Sequence, residues 1–162
     1  MARLPKSILS LVTAGATAVV IATAFVGEKE GLTLESFQDG AGVWTICNGI
    51  TEGVKPGQTA TEAECARLFA SEIGKRLAAV DEMVTAPMSP ARHAAITSLC
   101  YNIGLSACRR STLIRKLNAG DPNACDEILR WHYSGGQDCT DPKSNCRGIP
   151  PRREQERELC LL

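Results

Sequence analysis

Eight cysteines in 162 residues are the strongest constraint on what this chain can fold into. They are Cys47, Cys65, Cys100, Cys108, Cys125, Cys139, Cys146 and Cys160. No Cys-x-x-Cys occurs, and His93 and His132 lack paired-ligand spacing, so no metal site is expected. An even count without zinc spacing reads as a disulfide framework made in an oxidising compartment. Free buried thiols in a reducing one are the competing reading. Eight cysteines admit on the order of a hundred pairings, and sequence does not choose among them. The preferred set is local closure, Cys100–Cys108 and Cys139–Cys146, plus Cys47–Cys65 and Cys125–Cys160.

Oxidation implies export, and the leading residues offer a route. Arg3 and Lys6 form a short basic lead, and Ile8 to Val26 follows, nineteen residues without a charge. As one helix it would span roughly 28 Å at about 1.5 Å per residue, close to a bilayer core. Basic residues before it, with Glu28 and Glu30 after, place the leading end in the cytoplasm. Its grip on lipid is weak. Nine strongly apolar residues contribute about 3–5 kcal/mol of insertion. The other ten are five Ala, three Thr, Ser10 and Gly15. The expectation is a transmembrane-competent helix within residues 1–26, able to leave the bilayer, ahead of a single domain over residues 27–162. Two other readings stand beside it. Ala22-Thr23-Ala24 has the small-x-small form of a signal-peptide cleavage site. A permanent anchor is the third, opposed by the scarcity of strongly apolar residues.

Eighteen basic and eighteen acidic residues balance, and without Arg3 and Lys6 the remainder carries a net charge of −2. No basic stripe alternates with aromatics, which excludes nucleic acid as a partner. Attraction to an anionic cell wall must be local.

Past Thr51, Lys55-Pro56-Gly57 is a turn. Thr61-Glu62-Ala63-Glu64 is a capping box that opens a helix reaching about Val84. Ala63, Leu68, Phe69, Ile73, Leu77 and Val80 give it one apolar face, and it reads as a bridge between a small β-containing lobe and a larger helical lobe. Ser89-Pro90 starts a helix ending at Gly104, with Ala94, Ile96, Leu99 and Tyr101 as core. Ser111 caps one that stops at Gly120. Asp121-Pro122 caps another through Trp131-His132-Tyr133. A polar loop from Ser134 to Gly148 follows, then a last helix from Arg152 to Leu161.

Chemistry concentrates in residues 30–51, EGLTLESFQDGAGVWTICNGIT. Glu30, Asp39 and Thr45 are the candidates. Cleaving a glycosidic bond takes two carboxylates, one protonated at the leaving oxygen and one ionised on the opposite face of the sugar. A threonine hydroxyl both donates and accepts, which suits it to holding a water. Thr45 lies in an apolar, β-branched run that reads as a strand ending at the turn pair Asn48-Gly49. Spacing alone carries little weight, because these residue types meet it by chance at a few per cent. The flanks carry more. Glu30-Gly31-Leu32, Phe37-Gln38-Asp39, Gly42-Val43-Trp44-Thr45-Ile46 and Gly49-Ile50-Thr51 resemble the phage-type lysozymes, the glycoside hydrolases that phages use as endolysins. Cys47 stands where that family has glycine and Ile50 where it has histidine. Arg130-Trp131-x-Tyr133-x-Gly135-Gly136 and Gly148-Ile149-x-x-Arg152-Arg153-x-x-Glu156 resemble the family's closing motif. The middle of the chain agrees only in its helix pattern.

The resemblance implies an α+β, lysozyme-like fold and a muramidase that hydrolyses the β-1,4 bond between N-acetylmuramic acid and N-acetylglucosamine in peptidoglycan, without metal or organic cofactor. It implies Glu30 as general acid, needing an apolar or acidic setting to keep its proton. It implies inversion, with Asp39 and Thr45 positioning the attacking water. Arg153 is the arginine expected to reach the cleft and pair with Glu30 or sugar. Trp131 reads as core, and His93 and His132 as surface or satisfied core residues. Residues 8–26 resemble the signal-anchor-release segments of some phage endolysins. That resemblance implies a monomer exported by the host machinery, held inactive in the inner membrane, and freed into the periplasm when a holin-type lesion depolarises the membrane. An exported disulfide-rich wall-binding or inhibitor module is the non-enzyme alternative. A transglycosylase, which needs the acid but less of a water-holding partner, is the second enzymatic one.

Overall fold

The computed structural model describes residues 2–162; Met1, ahead of the basic lead, lies outside them. Two helices open the chain, α1 (Lys6–Thr13) and α2 (Ala18–Gly27). A hairpin follows, β1 (Thr33–Gln38) and β2 (Trp44–Cys47), paired antiparallel with Phe37 opposite Thr45. The long α3 (Glu62–Met83) then leads to α4 (Pro90–Ile103), the short α5 (Leu105–Arg109) and α6 (Thr112–Asn118). A 3-10 helix (Ala124–Arg130) and a two-residue hairpin, β3 (Tyr133–Ser134) with β4 (Gln137–Asp138), precede α7 (Ile149–Leu161). This is the α+β arrangement expected, a small β-containing lobe and a helical lobe with α3 running between them.

Caps behave as the sequence implies. The Thr61 hydroxyl accepts from the Glu64 amide while the Glu64 carboxylate accepts from the Thr61 amide, closing the capping box of α3. Ser89 and Ser111 cap α4 and α6 through their hydroxyls.

The leading segment is divided. Residues 8–26 form two helices rather than one. The Ala16 amide donates to the Leu11 carbonyl and the Gly15 amide to the Val12 carbonyl, with Gly15 at φ +73°. That is a Schellman stop, and glycine is the residue that accepts its left-handed backbone without strain. No helix among the described residues is long and apolar enough to cross a membrane. Ile8, Ile21, Ala22, Phe25 and Val26 are fully buried, in the same core as α3, α4, α6 and α7.

Helix α4 is the centre of that core and packs on α7, α2 and α3. Its buried side chains include the small Ala91, Ala94, Ala95 and Ser98, which let neighbouring helices approach closely. The small lobe has its own cluster, Ile46, Cys47, Ile50 and Cys65.

Two further departures lie near the C-terminus. The element after Asp121-Pro122 is 3-10 and stops at Arg130, short of Trp131-His132-Tyr133. Tyr133 and Ser134 pair with Gln137 and Asp138 around Gly135-Gly136, both at positive φ, the turn chemistry that closes a two-residue hairpin. Helix α7 begins at Ile149, three residues before the expected Arg152. Pro150 and Pro151 sit inside its first turn, where backbone N–H groups have no helical partner to lose.

Four disulfides close, Cys47–Cys65, Cys100–Cys108, Cys125–Cys160 and Cys139–Cys146, the preferred pairings, and no cysteine is left free. Cys108 lies in α5. Cys47 is the one described non-glycine residue at positive φ, +59°. The backbone there wants glycine, and the bond to Cys65 holds a side-chain-bearing residue in its place.

Candidate active site

Glu30 sits just past α2, its amide donating to the Val26 carbonyl at 3.1 Å. Helix α2 thus fixes where the carboxylate stands. Oε1 accepts from Arg152 Nη1 at 3.0 Å. The other oxygen, Oε2, points at the Asn48–Gly49 turn: a Cβ on Gly49 would come within 4.0 Å of it and within 3.6 Å of the Tyr101 hydroxyl. Gly49 has φ +83°, so glycine serves both the turn and the close approach. One oxygen of Glu30 is therefore engaged and the other is left toward the small lobe.

Arg152 is itself tightly held. Nε donates to Glu156 Oε1 at 3.1 Å and Nη2 to the Ser98 hydroxyl at 3.4 Å. Ser98 in turn donates to the same Glu156 oxygen at 2.6 Å. Glu156 is fully buried and its second oxygen takes Arg153. A buried carboxylate between two guanidinium groups is charge-paired on both sides, as burial requires.

Arg153 does not occupy the position expected of it. It bonds Glu156, Asn102 and the Trp131 carbonyl and is almost fully buried. Successive residues on a helix point about 100° apart. On α7 that turns Arg152 toward Glu30, and Arg153 toward α4 and the end of the 3-10 helix. The arginine that meets Glu30 is Arg152.

Glu30 also lacks the apolar or acidic setting expected for it. Its neighbours are a guanidinium, the Gly49 backbone and Tyr101. The Tyr101 hydroxyl donates to the Asn48 carbonyl at 3.0 Å, tying α4 to the turn after β2. Its ring meets Phe69 edge-on, and Arg76 lies over it. Burial, and then the Glu30 charge, push the Tyr101 phenol up to about 12, against the opposing pull of Arg76.

Asp39 and Thr45 are brought together through Val43. The Val43 carbonyl accepts from the Asp39 amide at 3.0 Å and from the Thr45 hydroxyl at 3.1 Å. Asp39 Oδ1 accepts from the Ala41 and Val43 amides, both at 2.9 Å. That oxygen builds the β1–β2 turn and leaves Oδ2 free for chemistry. Thr45 is largely buried and gives its proton to Val43, keeping its lone pairs. Among the described residues Glu30 makes no hydrogen bond to Asp39 or Thr45; it meets their hairpin at Gly49. Two depressions are lined by residues beside it, though by Glu30 itself in neither case. One is lined by Gly49, Thr51, Glu72, Arg76 and Tyr101 and the other by Lys29, Ser134, Asn145, Gly148 and Arg152. No group of carboxylate, histidine or cysteine side chains among the described residues could hold a metal.

The family model for phage lysozyme matches residues 27–156, which span Glu30, the β1–β2 hairpin, Tyr101 and Arg152. The chain belongs to the phage lysozyme family. It is a lysozyme, a glycoside hydrolase of peptidoglycan, and the non-enzyme alternative falls away. Among its relatives is a SAR-endolysin of Escherichia phage N15, 42% identical over 98% of this chain and 94% of that protein. A protein of Escherichia coli (strain K12) described as a probable prophage lysozyme is 40% identical over 96% of this chain and 92% of its own length. Among solved structures, a mutant of P22 lysozyme superposes over all of both chains with a TM-score of 0.74 and 27% identity.

Arg152 and Tyr101 were not picked out by sequence reasoning. Arg152 and Arg153 both stand at helical spacing to Glu156, so α7's periodicity does not choose between them. Tyr101 reads as ordinary core, and only the fold brings the Asn48–Gly49 turn to its hydroxyl.

Proposed function

We propose that Glu30 is the general acid of this lysozyme and that Asp39 and Thr45 hold the water that attacks the sugar. The observation that carries this is the division of labour at each carboxylate. Arg152 engages Glu30 Oε1, so the transferable proton belongs on Oε2, which faces the small lobe. The β1–β2 turn engages Asp39 Oδ1, so Oδ2 takes the water's proton. Thr45 offers lone pairs to a water O–H. The proton on Glu30 goes to the glycosidic oxygen as the C1–O bond breaks. Water adds to C1 from the opposite face, and its proton passes to Asp39. Both carboxyls then return to their starting states by exchange with solvent. Inversion corresponds to carboxyls about 6.5–9.5 Å apart when the sugar is bound. Reducing-end sugar of inverted anomeric configuration is the expected product; an anhydro-sugar would indicate a transglycosylase.

Control rests on the leading segment. Residues 8–26 hold the enzyme in the host inner membrane, leading end in the cytoplasm, until depolarisation by a holin-type lesion frees it into the periplasm as a monomer. Energetics support release. Ile8, Ile21, Phe25 and Val26 are fully buried in the protein core, worth together about 6–12 kcal/mol as an upper bound. Insertion of the whole segment is worth about 3–5 kcal/mol. Folding onto the domain therefore outcompetes lipid once the segment can leave. Tethering also acts on the site. Glu30 hangs from the end of α2, and while that helix is embedded the carboxylate is at the lipid surface, away from Arg152. Residues 1–26 contain no cysteine, so release requires no thiol exchange with the segment.

Fractionation before and after an uncoupler, with lysis assayed and the leading end of the soluble protein sequenced, tests this control. The expected result is intact protein that moves from membrane to soluble fraction as lysis begins. A protein shortened at Ala24, or equally active in both fractions, would overturn it.

A further inference from the structure

Residues 2–4 lie along one face of α7. The Ala2 amide donates to the Glu154 carboxylate, and the Leu4 amide donates to Glu158 Oε2 at 2.8 Å. Between them, Gln155 Nε2 donates to the Arg3 carbonyl at 2.8 Å. Three residues of one helix thus read the backbone of three residues at the other end of the sequence. Leu4 is buried between these contacts. Amide-to-carboxylate bonds are stronger than neutral ones, and a side-chain amide that both donates and accepts fixes register. Gln155 uses its second end as well: its Oε1 accepts from Lys29 Nζ. Lys29 precedes Glu30 directly, and its ammonium lies over the Phe25 ring at 5.0 Å. Burial holds the Lys29 ammonium below the usual lysine range, while Glu28 pulls the other way. Ser7 adds a further tie by donating to Glu28 Oε1 at 2.7 Å.

We propose that Glu154, Gln155 and Glu158 form a docking site for an extended backbone segment, that its ligand is residues 2–4 of this chain, and that closing it latches the leading segment onto the domain. Acceptor carboxylates spaced along a helix suit backbone N–H donors with a basic side chain pointing to solvent, and Arg3 is exposed. As a release device the latch rests on the tether reading above. With residues 8–26 across a bilayer, residues 2–4 are on the far side of roughly 28 Å of hydrocarbon from α7. The latch cannot close until the whole segment has left the lipid. Once closed, it opposes reinsertion, and through Gln155 and Lys29 it steadies the residue next to the catalytic acid. None of the three α7 residues contacts Glu30, Asp39 or Thr45.

A cycle on one bond in full-length, oxidised, lipid-free protein tests the docking site. Ala2→Pro removes the donor, Glu154→Ala removes the acceptor, and the combined variant removes both. Hydrogen exchange of the α1 amides is the readout. Each single change is expected to speed exchange about tenfold, with the combined variant no faster than either single one, because both remove the same bond. Unchanged exchange, additive effects, or equal acceleration across α4 and α7 would overturn the proposal. Fractionation after an uncoupler tests the latch. Glu154→Ala/Glu158→Ala is expected to leave about tenfold more protein in the membrane fraction than wild type, whereas Glu30→Gln, inactive but latched, leaves as wild type does. Release of the double variant at the wild-type rate would sink the latch and leave the catalytic reading intact. A wild-type protein never found in membranes would sink the tether, and the exchange cycle would still decide the docking site.

Discussion

Arg152 Nη1 and Glu30 Oε1 lie 3.0 Å apart although 122 residues separate them in sequence. The pair joins the last helix to the end of α2, and Arg152 is further fixed by Glu156 and Ser98. Glu30 is therefore placed from both sides, by the end of α2 that precedes it and by a guanidinium that is itself held.

Arg152→Ala should lower wall-clearing activity at least tenfold and destabilise the fold by about 3 kcal/mol, because a buried pair loses one member and Glu156 keeps only Arg153 as a charged partner. Arg152→Lys should fall between, since an ammonium cannot reach Glu30, Glu156 and Ser98 in one plane. Urea unfolding alongside turbidity clearing separates the two effects.

Asp39→Asn and Asp39→Ala should part company. Asparagine keeps an oxygen to accept from the Ala41 and Val43 amides, so the turn survives while activity drops about a hundredfold or more. Alanine loses both bonds and should also lower stability, by about 1–2 kcal/mol. Equal stability of the two variants would show that the turn does not depend on Asp39 Oδ1.

The Cys47–Cys65 bond closes a loop of 18 residues and is worth about 3 kcal/mol. Its loss should be cushioned by glycine at position 47, where φ is +59°. Cys47→Gly/Cys65→Ala should be about 1 kcal/mol more stable than Cys47→Ala/Cys65→Ala, as read by thermal unfolding. The reverse order would mean that position 47 relaxes once the bond is gone.

Tyr101 carries a pH signature. Its phenol moves from 10.0 to about 12 in the folded protein. The folded state holds the proton more tightly than the unfolded chain, so its contribution is complete below about pH 10. It is lost as pH rises through about 12. Stability curves should fall across that window, and Tyr101→Phe should flatten the fall while losing about 1 kcal/mol at neutral pH with the bond to Asn48. An identical fall in the variant would assign it to other groups.

Much of this was legible in the residues. The capping box at Thr61, the serine caps and the strand before Asn48-Gly49 follow from local rules that the tertiary structure respects. Cys100–Cys108 and Cys139–Cys146 follow a preference for local closure that the fold accommodates, whereas Cys47–Cys65 and Cys125–Cys160 span longer separations with no local rule behind them. Other features depend on through-space contacts. Gly15 reads as one more weakly apolar residue in an uncharged run, yet in the folded chain its left-handed backbone stops a helix, and the two halves pack their apolar faces on the domain. The choice of Arg152 over Arg153 turns on which face of α7 is turned toward Glu30, and helical spacing to Glu156 is met by both. The setting of Glu30 is hidden from the sequence for a related reason: the guanidinium beside it comes from the far end of the chain, and no local pattern announces it.

The most direct test of the central claim, that Glu30 supplies the proton, is turbidity clearing of bacterial walls by purified, oxidised, lipid-free protein with and without Glu30→Gln. Glutamine still offers an oxygen to Arg152, so the fold and the four disulfides should be retained. The account predicts that clearing falls at least a thousandfold while unfolding is unchanged within about 1 kcal/mol. Clearing by a folded Glu30→Gln protein at a rate close to wild type would contradict it.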